Sequence, residues 1–203
     1  MNSKREDVHE ALLESFKKLI LKNNFDKITI KMITDGAGLI RPTFYNHFAD
    51  KYEVLEQICY NDIFKGSEML INNKMPYEAI HYMFSRIENN KEFYLKAIKV
   101  TGQNSFEEII SSNLTNMFKE LFDQYGNNPR NYEEQFSIDD IAEYYSRGLT
   151  FIIKRWIEDG IKVSAKALTK KYEILVTNSL DDIIHKRIEC TNREKLTMKD
   201  NTI

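Results

Sequence analysis

A short stretch in the first quarter of the chain is dense in hydrogen-bonding side chains. The stretch contains Arg41, Thr43, Tyr45, Asn46 and His47. Arginine, asparagine and threonine suit contacts with base edges, while threonine and tyrosine suit contacts with phosphate oxygens. These residue types indicate a surface for duplex nucleic acid, provided that a rigid element presents them together.

Two short helices that meet at a glycine are predicted to position this set. The first has apolar residues at helical spacing: Ile30, Ile33 and Ala37. Thr29 precedes them, and its hydroxyl is expected to cap the helix start. Gly38 follows the last apolar residue, where a helix commonly ends in a left-handed conformation. Pro42 falls in the first turn of the second helix, residues 41–48, where its missing N–H costs nothing.

The second helix is too short to be stable without support from its neighbours. Phe44 and Phe48 lie four residues apart and are expected to brace it from behind. Asp50 is predicted to cap a third helix with Lys51 in its first turn. This is the pattern of a helix-turn-helix, in which a short polar helix enters the major groove and helix N-termini contact phosphates.

The stretch resembles the DNA-binding domain of the tetracycline-repressor (TetR/AcrR) family, over about the first quarter of the chain. The matching residues are Ala11, Phe16, Leu19, Phe25, Thr29, Ile33, Ala37, Gly38, Thr43, Phe44, Tyr45, His47, Phe48, Lys51 and Leu55. The resemblance implies DNA contacts from Thr29, Lys31, Arg41, Pro42, Thr43, Tyr45, Asn46, His47 and Lys51. Ile40 departs from the family, which usually has a capping Ser or Thr there, so the base preference at Arg41 and Pro42 is left open.

Composition is typical of a helical globular protein of one or two domains. The chain has 203 residues, of which 42% are apolar and 30% charged, with only three prolines and seven glycines. It has no apolar run near the ~18 residues of a membrane span and no signal peptide, so we expect a cytoplasmic protein without membrane contact. The net charge is −2, divided into +2 for residues 1–51 and −4 for the rest, which favours a DNA-facing head on an acidic body.

Neither an enzyme nor a metal site is predicted. The four histidines fall on four different predicted helices, without a ligand partner three or four residues away. Two cysteines are too few for a disulfide framework or a zinc site. The paired aspartates at 139–140 and 181–182 have no nucleophile and base at catalytic spacing. We therefore expect no catalytic residues, no metal and no cofactor.

The rest of the chain has helical periodicity, so the predicted fold class is all-α. The expected helices span residues 5–22, 50–72, 76–88, 93–100, 105–125, 137–158 and 164–184. The predicted domains are a helix-turn-helix head at residues 1–50, a helical regulatory and dimerisation domain at 51–190, and a flexible tail at 191–203.

The last two long helices have a wider apolar surface than one intramolecular contact uses. This pattern fits either a generously buried core or a dimer in which two helices pair with two from a second subunit. The resemblance implies the dimer. The predicted interface residues are Ile141, Tyr145, Ile152, Leu168, Tyr172, Leu175, Ser179 and Ile183.

A ligand pocket in the body is implied by the resemblance, because family members commonly enclose a small molecule there. Aromatic and methionine side chains suit an apolar ligand held by a few polar groups. The candidates for the pocket are Tyr94, Gln103, Asn113, Phe118, Tyr145 and Trp156.

The functional prediction is a dimeric, sequence-specific transcription regulator that binds a palindromic operator in double-stranded DNA and acts as a repressor released by a ligand. Residues 144–157, YYSRGLTFIIKRWI, are similar to a subfamily that includes an activator of a dihydroxyacetone-kinase operon. Repression or activation, and a small-molecule or protein effector, therefore stay open. The alternatives are a helical protein–protein adaptor or co-activator and a small helical enzyme.

Overall fold

The computed structural model describes residues 2–102, 104–125 and 136–185, and in these ranges the chain forms helices without a β-strand. The all-α prediction is confirmed. The helices are α1 Asn2–Lys22, α2 Ile30–Ala37, α3 Arg41–Tyr45, α4 Lys51–Cys59, α5 Lys65–Asn72, α6 Pro76–Asn89, α7 Lys91–Ala97, α8 Phe106–Tyr125, α9 Ile138–Glu158 and α10 Ala165–Thr177. The predicted tail at 191–203 and Gln103 lie outside the described residues.

The head consists of α1, α2 and α3, with α2 packed on α1 and α3 on α2. The predicted helix over 41–48 is wrong at its end, because α3 stops at Tyr45. The backbone N–H groups of His47 and Phe48 both donate to the carbonyl of Phe44, so the chain turns at this point. The turn directs Phe48 into the core, where it is 2% exposed.

The connection between head and body is one helical rod with an irregular middle. α4 is followed without a break by a π-helical segment, Tyr60–Phe64, and then by α5. Spacing predicted a regular helix over residues 50–72, and the wider π turn was not anticipated. Such π turns often occur at functional sites in helices.

The body packs α8 against α9, α5 against α6, and α10 against α6. The predicted capping box of α9 is confirmed, with Ser137 Oγ accepting from the Asp140 N–H and Asp140 accepting from the Ser137 N–H. The predicted helix over 164–184 is interrupted, since α10 ends at Thr177 and Asn178 is extended (φ −118°, ψ 141°). Residues 180–185 are helical again.

The buried apolar core runs without a break from the head into the body. α1 contacts both α4 and α7, so the head rests directly on these two helices of the body. The division at residue 50 stays a prediction, because no gap in the core marks it. Among the described helices, none is long and apolar enough to cross a membrane.

Candidate nucleic-acid interface and body cavity

Local capping sets the position of α3 on the surface of the head. Thr29 Oγ1 accepts from the Met32 N–H at 3.2 Å, and Gly38 ends α2 with φ 67°. Asp50 Oδ1 accepts from the first N–H groups of α4, at 2.7 Å from Tyr52 and 3.0 Å from Glu53. The starts of α2, α3 and α4 border one groove. Helix starts carry a partial positive charge, which favours contact with an anionic backbone.

Buried aromatic rings hold α3 from behind. Phe44 is fully buried and its ring lies 5.7 Å from that of Phe48. Arg41, Pro42, Tyr45 and Asn46 are exposed on the opposite side, and Thr43 is half-buried between the two sides. A five-residue helix is thereby presented as a rigid polar ridge, which is the geometry that a major groove accepts.

Arg41 and Tyr45 form a pair along the outer side of α3. A guanidinium N–H of Arg41 donates to the Tyr45 hydroxyl, with 3.3 Å between Nη2 and the oxygen. A phenol can accept one hydrogen bond and still donate its own proton. The pair therefore leaves the Tyr45 proton available for a phosphate oxygen and restrains the guanidinium near the groove.

His47 lies just beyond α3 and is half-buried. Its ring centroid is 5.7 Å from that of His9 on α1, a neighbour that the sequence pattern did not indicate. Burial lowers the pKa of His47, and the positive charges of His9 and Arg5 lower it further. A neutral imidazole is favoured, so this side chain presents a hydrogen-bonding group rather than a charge.

The two lysines that were predicted to contact DNA occupy different environments. Lys31 is exposed on α2 and pairs with Asp35 at 2.8 Å. The Lys51 ammonium instead donates to three backbone carbonyls of the preceding loop, at 2.8 Å to Phe25, 3.0 Å to Ile28 and 3.3 Å to Asp26. Burial lowers the pKa of Lys51. All three of its protons point into the head, which gives Lys51 a structural role as a clamp.

The body contains an apolar cavity of about 250 Å³ between α5, α6, α8, α9 and α10. Its lining residues carry no formal charge, and their polar atoms include three tyrosine hydroxyls. They are Ile71, Pro76, Tyr77, Ile80, Met117, Phe118, Leu121, Phe122, Tyr145, Tyr172 and Val176. Phe118 and Tyr145 were expected here from sequence. Tyr77, Tyr172 and Phe122 were missed, although their ring types are those of the predicted lining.

The other described pocket candidates have partners elsewhere in the body. Tyr94 donates to Asp62 Oδ2 at 2.6 Å, Asn113 donates to the carbonyl of Ile109 at 2.8 Å, and the Trp156 indole N–H donates to the carbonyl of Val163 at 2.8 Å. The structure thus places these three side chains away from the cavity lining.

Asp62, in the π segment, is the centre of a polar network that sequence analysis did not identify. Its carboxylate accepts from Arg86 Nε at 3.0 Å and from Asn90 Nδ2 at 2.9 Å, besides the Tyr94 hydroxyl. Burial of the ring raises the pKa of Tyr94 well above its ordinary value, and the Asp62 carboxylate raises it further. The network fastens the irregular turn of the head–body rod to α6 and α7.

An exposed apolar stripe runs along α9 and α10. Tyr144 and Phe151 on α9 are 75% and 66% exposed, and Leu175 and Ile174 on α10 are 53% and 51% exposed. Of the predicted interface residues, Leu175 lies on this stripe. Ile141, Ile152, Leu168 and Ile183 are half-buried, and Ser179 is exposed at the start of the last helical turn.

Tyr145 and Tyr172 pack into the body's core, and both also line a surface groove between α9 and α10 together with Tyr144, Ile152 and Leu175. Tyr145 packs on Phe118 and Phe122, and Tyr172 packs on Phe84 with ring centroids 6.4 Å apart. Four of the predicted interface residues thus meet in one groove, and the interface itself stays a prediction. Within the described ranges, no group of three or more histidine, cysteine or acidic side chains is arranged to hold a metal ion.

Two family profiles match the chain. The one described as "Bacterial regulatory proteins, tetR family" matches residues 12–58, and the one described as "Transcriptional regulator C-terminal region" matches residues 74–178. Among curated proteins, the chain is similar to the HTH-type dhaKLM operon transcriptional activator DhaS of Lactococcus lactis subsp. lactis (strain IL1403), with 27% identity over 130 residues. That stretch is 61% of the chain and 66%, just under two thirds, of the relative's own length.

Three solved structures share the fold. The dihydroxyacetone kinase operon activator DhaS is 24% identical with a TM-score of 0.55, and the match covers 84% of this chain and 92% of the DhaS chain. NalD, the secondary repressor of the MexAB-OprM multidrug efflux pump in Pseudomonas aeruginosa, is 17% identical with a TM-score of 0.56, covering 83% and 93%. The fatty acid degradation regulator FadR from Bacillus halodurans is 14% identical with a TM-score of 0.58, covering 85% and 96%.

Proposed function

Because the chain belongs to the bacterial tetR family of regulatory proteins and is a DNA-binding transcription regulator, we propose that it works as a homodimeric repressor. In this proposal it binds a palindromic operator and releases it when a small uncharged molecule occupies the body cavity. The observation that carries the DNA-binding surface is α3 itself, whose outer side presents Arg41, Tyr45 and Asn46 while Phe44 and Phe48 anchor it.

The contacts with DNA divide by side-chain chemistry. Arg41 and Asn46 reach base edges, since arginine suits guanine and asparagine suits adenine. Thr29, Lys31 and the Tyr45 hydroxyl bind phosphates on either side of α3. Pro42, Thr43 and the neutral His47 complete the surface. Lys51 supports it indirectly, by clamping the loop before α2.

The exposed stripe on α9 and α10 supports a homodimer. Large apolar side chains at more than half exposure, such as Tyr144, Phe151 and Leu175, are typical of a surface that a partner covers. A two-fold axis through the stripe places the same patch of both subunits in contact. The two heads then read a palindrome. Its half-sites are separated by one helical turn of DNA, about 34–36 Å, or by a multiple of that distance.

The cavity supports an uncharged, largely apolar effector. A charged ligand would lose its hydration without gaining an ionic partner, because the lining carries no charge. Ile71 and Pro76 border the cavity where α5 ends and α6 begins. A ligand there acts on the same rod that carries the π segment and α4, and it favours a head spacing that no longer fits two successive grooves. Coupling of about 1–3 kcal/mol is typical of such linkage.

The main experiment selects genomic DNA fragments with the full-length protein. Enrichment of one palindrome supports the proposal, and an Arg41→Ala variant is expected to lose the enrichment while it stays folded. A chain that enriches no DNA sequence would instead be the helical adaptor considered above.

The effector is tested with a panel of uncharged aromatic compounds and their charged analogues. Release of the operator is expected only from the uncharged compounds, and a Met117→Trp variant that fills the cavity should bind the operator but not respond. Operator release by charged analogues alone would contradict the assigned cavity.

Activation is the second candidate, because the relative DhaS is itself an operon activator. Transcription in vitro from a promoter that carries the selected operator separates the two. Less transcript with added protein means repression, and more transcript means activation.

A further inference from the structure

Ile40 is an apolar side chain at a position where helix stability favours a polar one. It is 68% exposed, and it occupies the N-cap of α3 without a side-chain hydrogen bond to the helix. A serine, threonine, asparagine or aspartate there would accept one of the unpaired N–H groups of the first turn. Neither packing within the chain nor capping therefore explains the isoleucine. Residues that lower local stability in this way are typical of functional surfaces.

Its place in the fold limits which groups of DNA it can meet. The N-terminal residues of a recognition helix face base edges in the major groove. In that groove, adenine, guanine and cytosine present hydrogen-bonding groups, and only thymine presents a methyl group. An isoleucine over any other base edge would remove water from a polar group without replacing its hydrogen bond.

We propose that Ile40 determines specificity by packing on the C5-methyl group of a thymine in each operator half-site. This inference rests on the proposed DNA-binding surface.

The test removes single methyl groups from the operator. After selection of the operator with the full-length protein, each thymine of the half-site is replaced in turn by deoxyuridine, which lacks only the C5-methyl. For the unaltered protein, one position is expected to weaken binding about fourfold per half-site, the equivalent of one buried methyl group at about 0.8 kcal/mol. Replacement in both half-sites is expected to weaken it about 15-fold, as two equal losses multiply.

Two variants make the test specific to Ile40. Ile40→Ser removes every methyl group of the side chain and supplies a helix cap, so the fold is retained and the deoxyuridine penalty at that position should disappear. Lys31→Ala is the matched control: it should weaken binding to all sequences and keep the penalty, because a phosphate contact does not depend on the base.

The outcomes separate this inference from the proposed function. If the operator is bound but no deoxyuridine matters, or if the penalty is the same in Ile40→Ser as in the unaltered protein, the thymine contact is wrong and DNA binding stands. If no operator is enriched at all, the proposed DNA-binding surface fails and the inference fails with it.

Discussion

The head and the body use side chains for function in different ways. In the head, the polar residues that spacing assigned to DNA are exposed on α3, as with Arg41, Tyr45 and Asn46. In the body, Tyr145 was assigned to both the ligand pocket and a dimer interface, and Tyr172 to the interface alone, yet both rings line the cavity as well as the surface groove between α9 and α10. A short motif with its own caps exposes its residues predictably. A cavity or an interface forms only when several helices pack together, so periodicity alone does not locate it.

The largest expected effect comes from the support behind α3. Phe44→Ala should lower the free energy of unfolding by about 3–5 kcal/mol, because it removes a fully buried ring and leaves a cavity. Chemical denaturation measures the change. Phe136→Ala, at a ring that is 62% exposed, is the control and should change stability by less than about 0.5 kcal/mol. Similar losses in the two variants would mean that α3 is not braced from behind.

The next effect tests the exposed stripe of the body. Phe151→Arg should yield monomers in sedimentation, because a charge on the stripe cannot be buried without a partner. Operator affinity should fall about 100-fold or more, since the two heads are no longer joined. Glu92→Arg, on the exposed side of α7, should leave the dimer intact. Dimers of Phe151→Arg would place the interface on another face.

The third effect concerns the network at the π segment. Tyr94→Phe should lower the free energy of unfolding at neutral pH by about 1.5–3 kcal/mol, the worth of a hydrogen bond to a charged group. Burial and Asp62 raise the pKa of Tyr94 above its unfolded value of about 10, so its stabilising contribution is complete below pH 10 and is lost as pH rises further.

Denaturation between pH 9 and pH 11.5 should therefore show a shallower alkaline loss of stability for Tyr94→Phe than for the unaltered protein. Above pH 10 the difference in slope approaches about 1.4 kcal/mol per pH unit. Tyr77→Phe, at a half-exposed ring, serves as the control and should keep the original slope. Parallel curves for Tyr94→Phe would exclude Tyr94 as a source of the pH dependence.

The smallest effect distinguishes the two lysines of the head. Lys51→Met should lower the free energy of unfolding by about 1 kcal/mol, because a partly exposed clamp on three carbonyls is lost. The salt dependence of operator binding should be the same in this variant as in the unaltered protein. Lys31→Ala should instead leave stability nearly unchanged and reduce the salt slope by about one per head. A reduced salt slope in Lys51→Met would restore the phosphate contact first expected for it.

Much of the fold could be predicted because its signals are local. Thr29, Asp50 and Ser137 each cap a helix start by accepting from a nearby backbone N–H, and Gly38 ends α2 with its positive φ. All four were identified from their neighbours in the chain. The interruption at Asn178 was missed although its signal is local, since Ser179 and Asp182 form a capping pair like that of Ser137 and Asp140. The short end of α3 was missed because Phe48, at the turn that follows, is directed into the core.

The candidate site divides in the same way. The exposed side chains of α3 follow from residue type and spacing. The structural role of Lys51 does not, since its partners lie 23 to 26 residues away in the chain. His9 beside His47, and Arg86 and Asn90 around Asp62, are likewise neighbours only in three dimensions.

By itself, the amino-acid sequence determined an all-helical chain whose first quarter exposes a polar ridge for DNA, because caps, turns and helical periods act over a few residues. Only the tertiary structure decided which rings enclose the cavity, which face of α9 stays uncovered, and where a carboxylate fastens the head–body rod. These features depend on distances between side chains that are remote in sequence, and no local spacing encodes such distances.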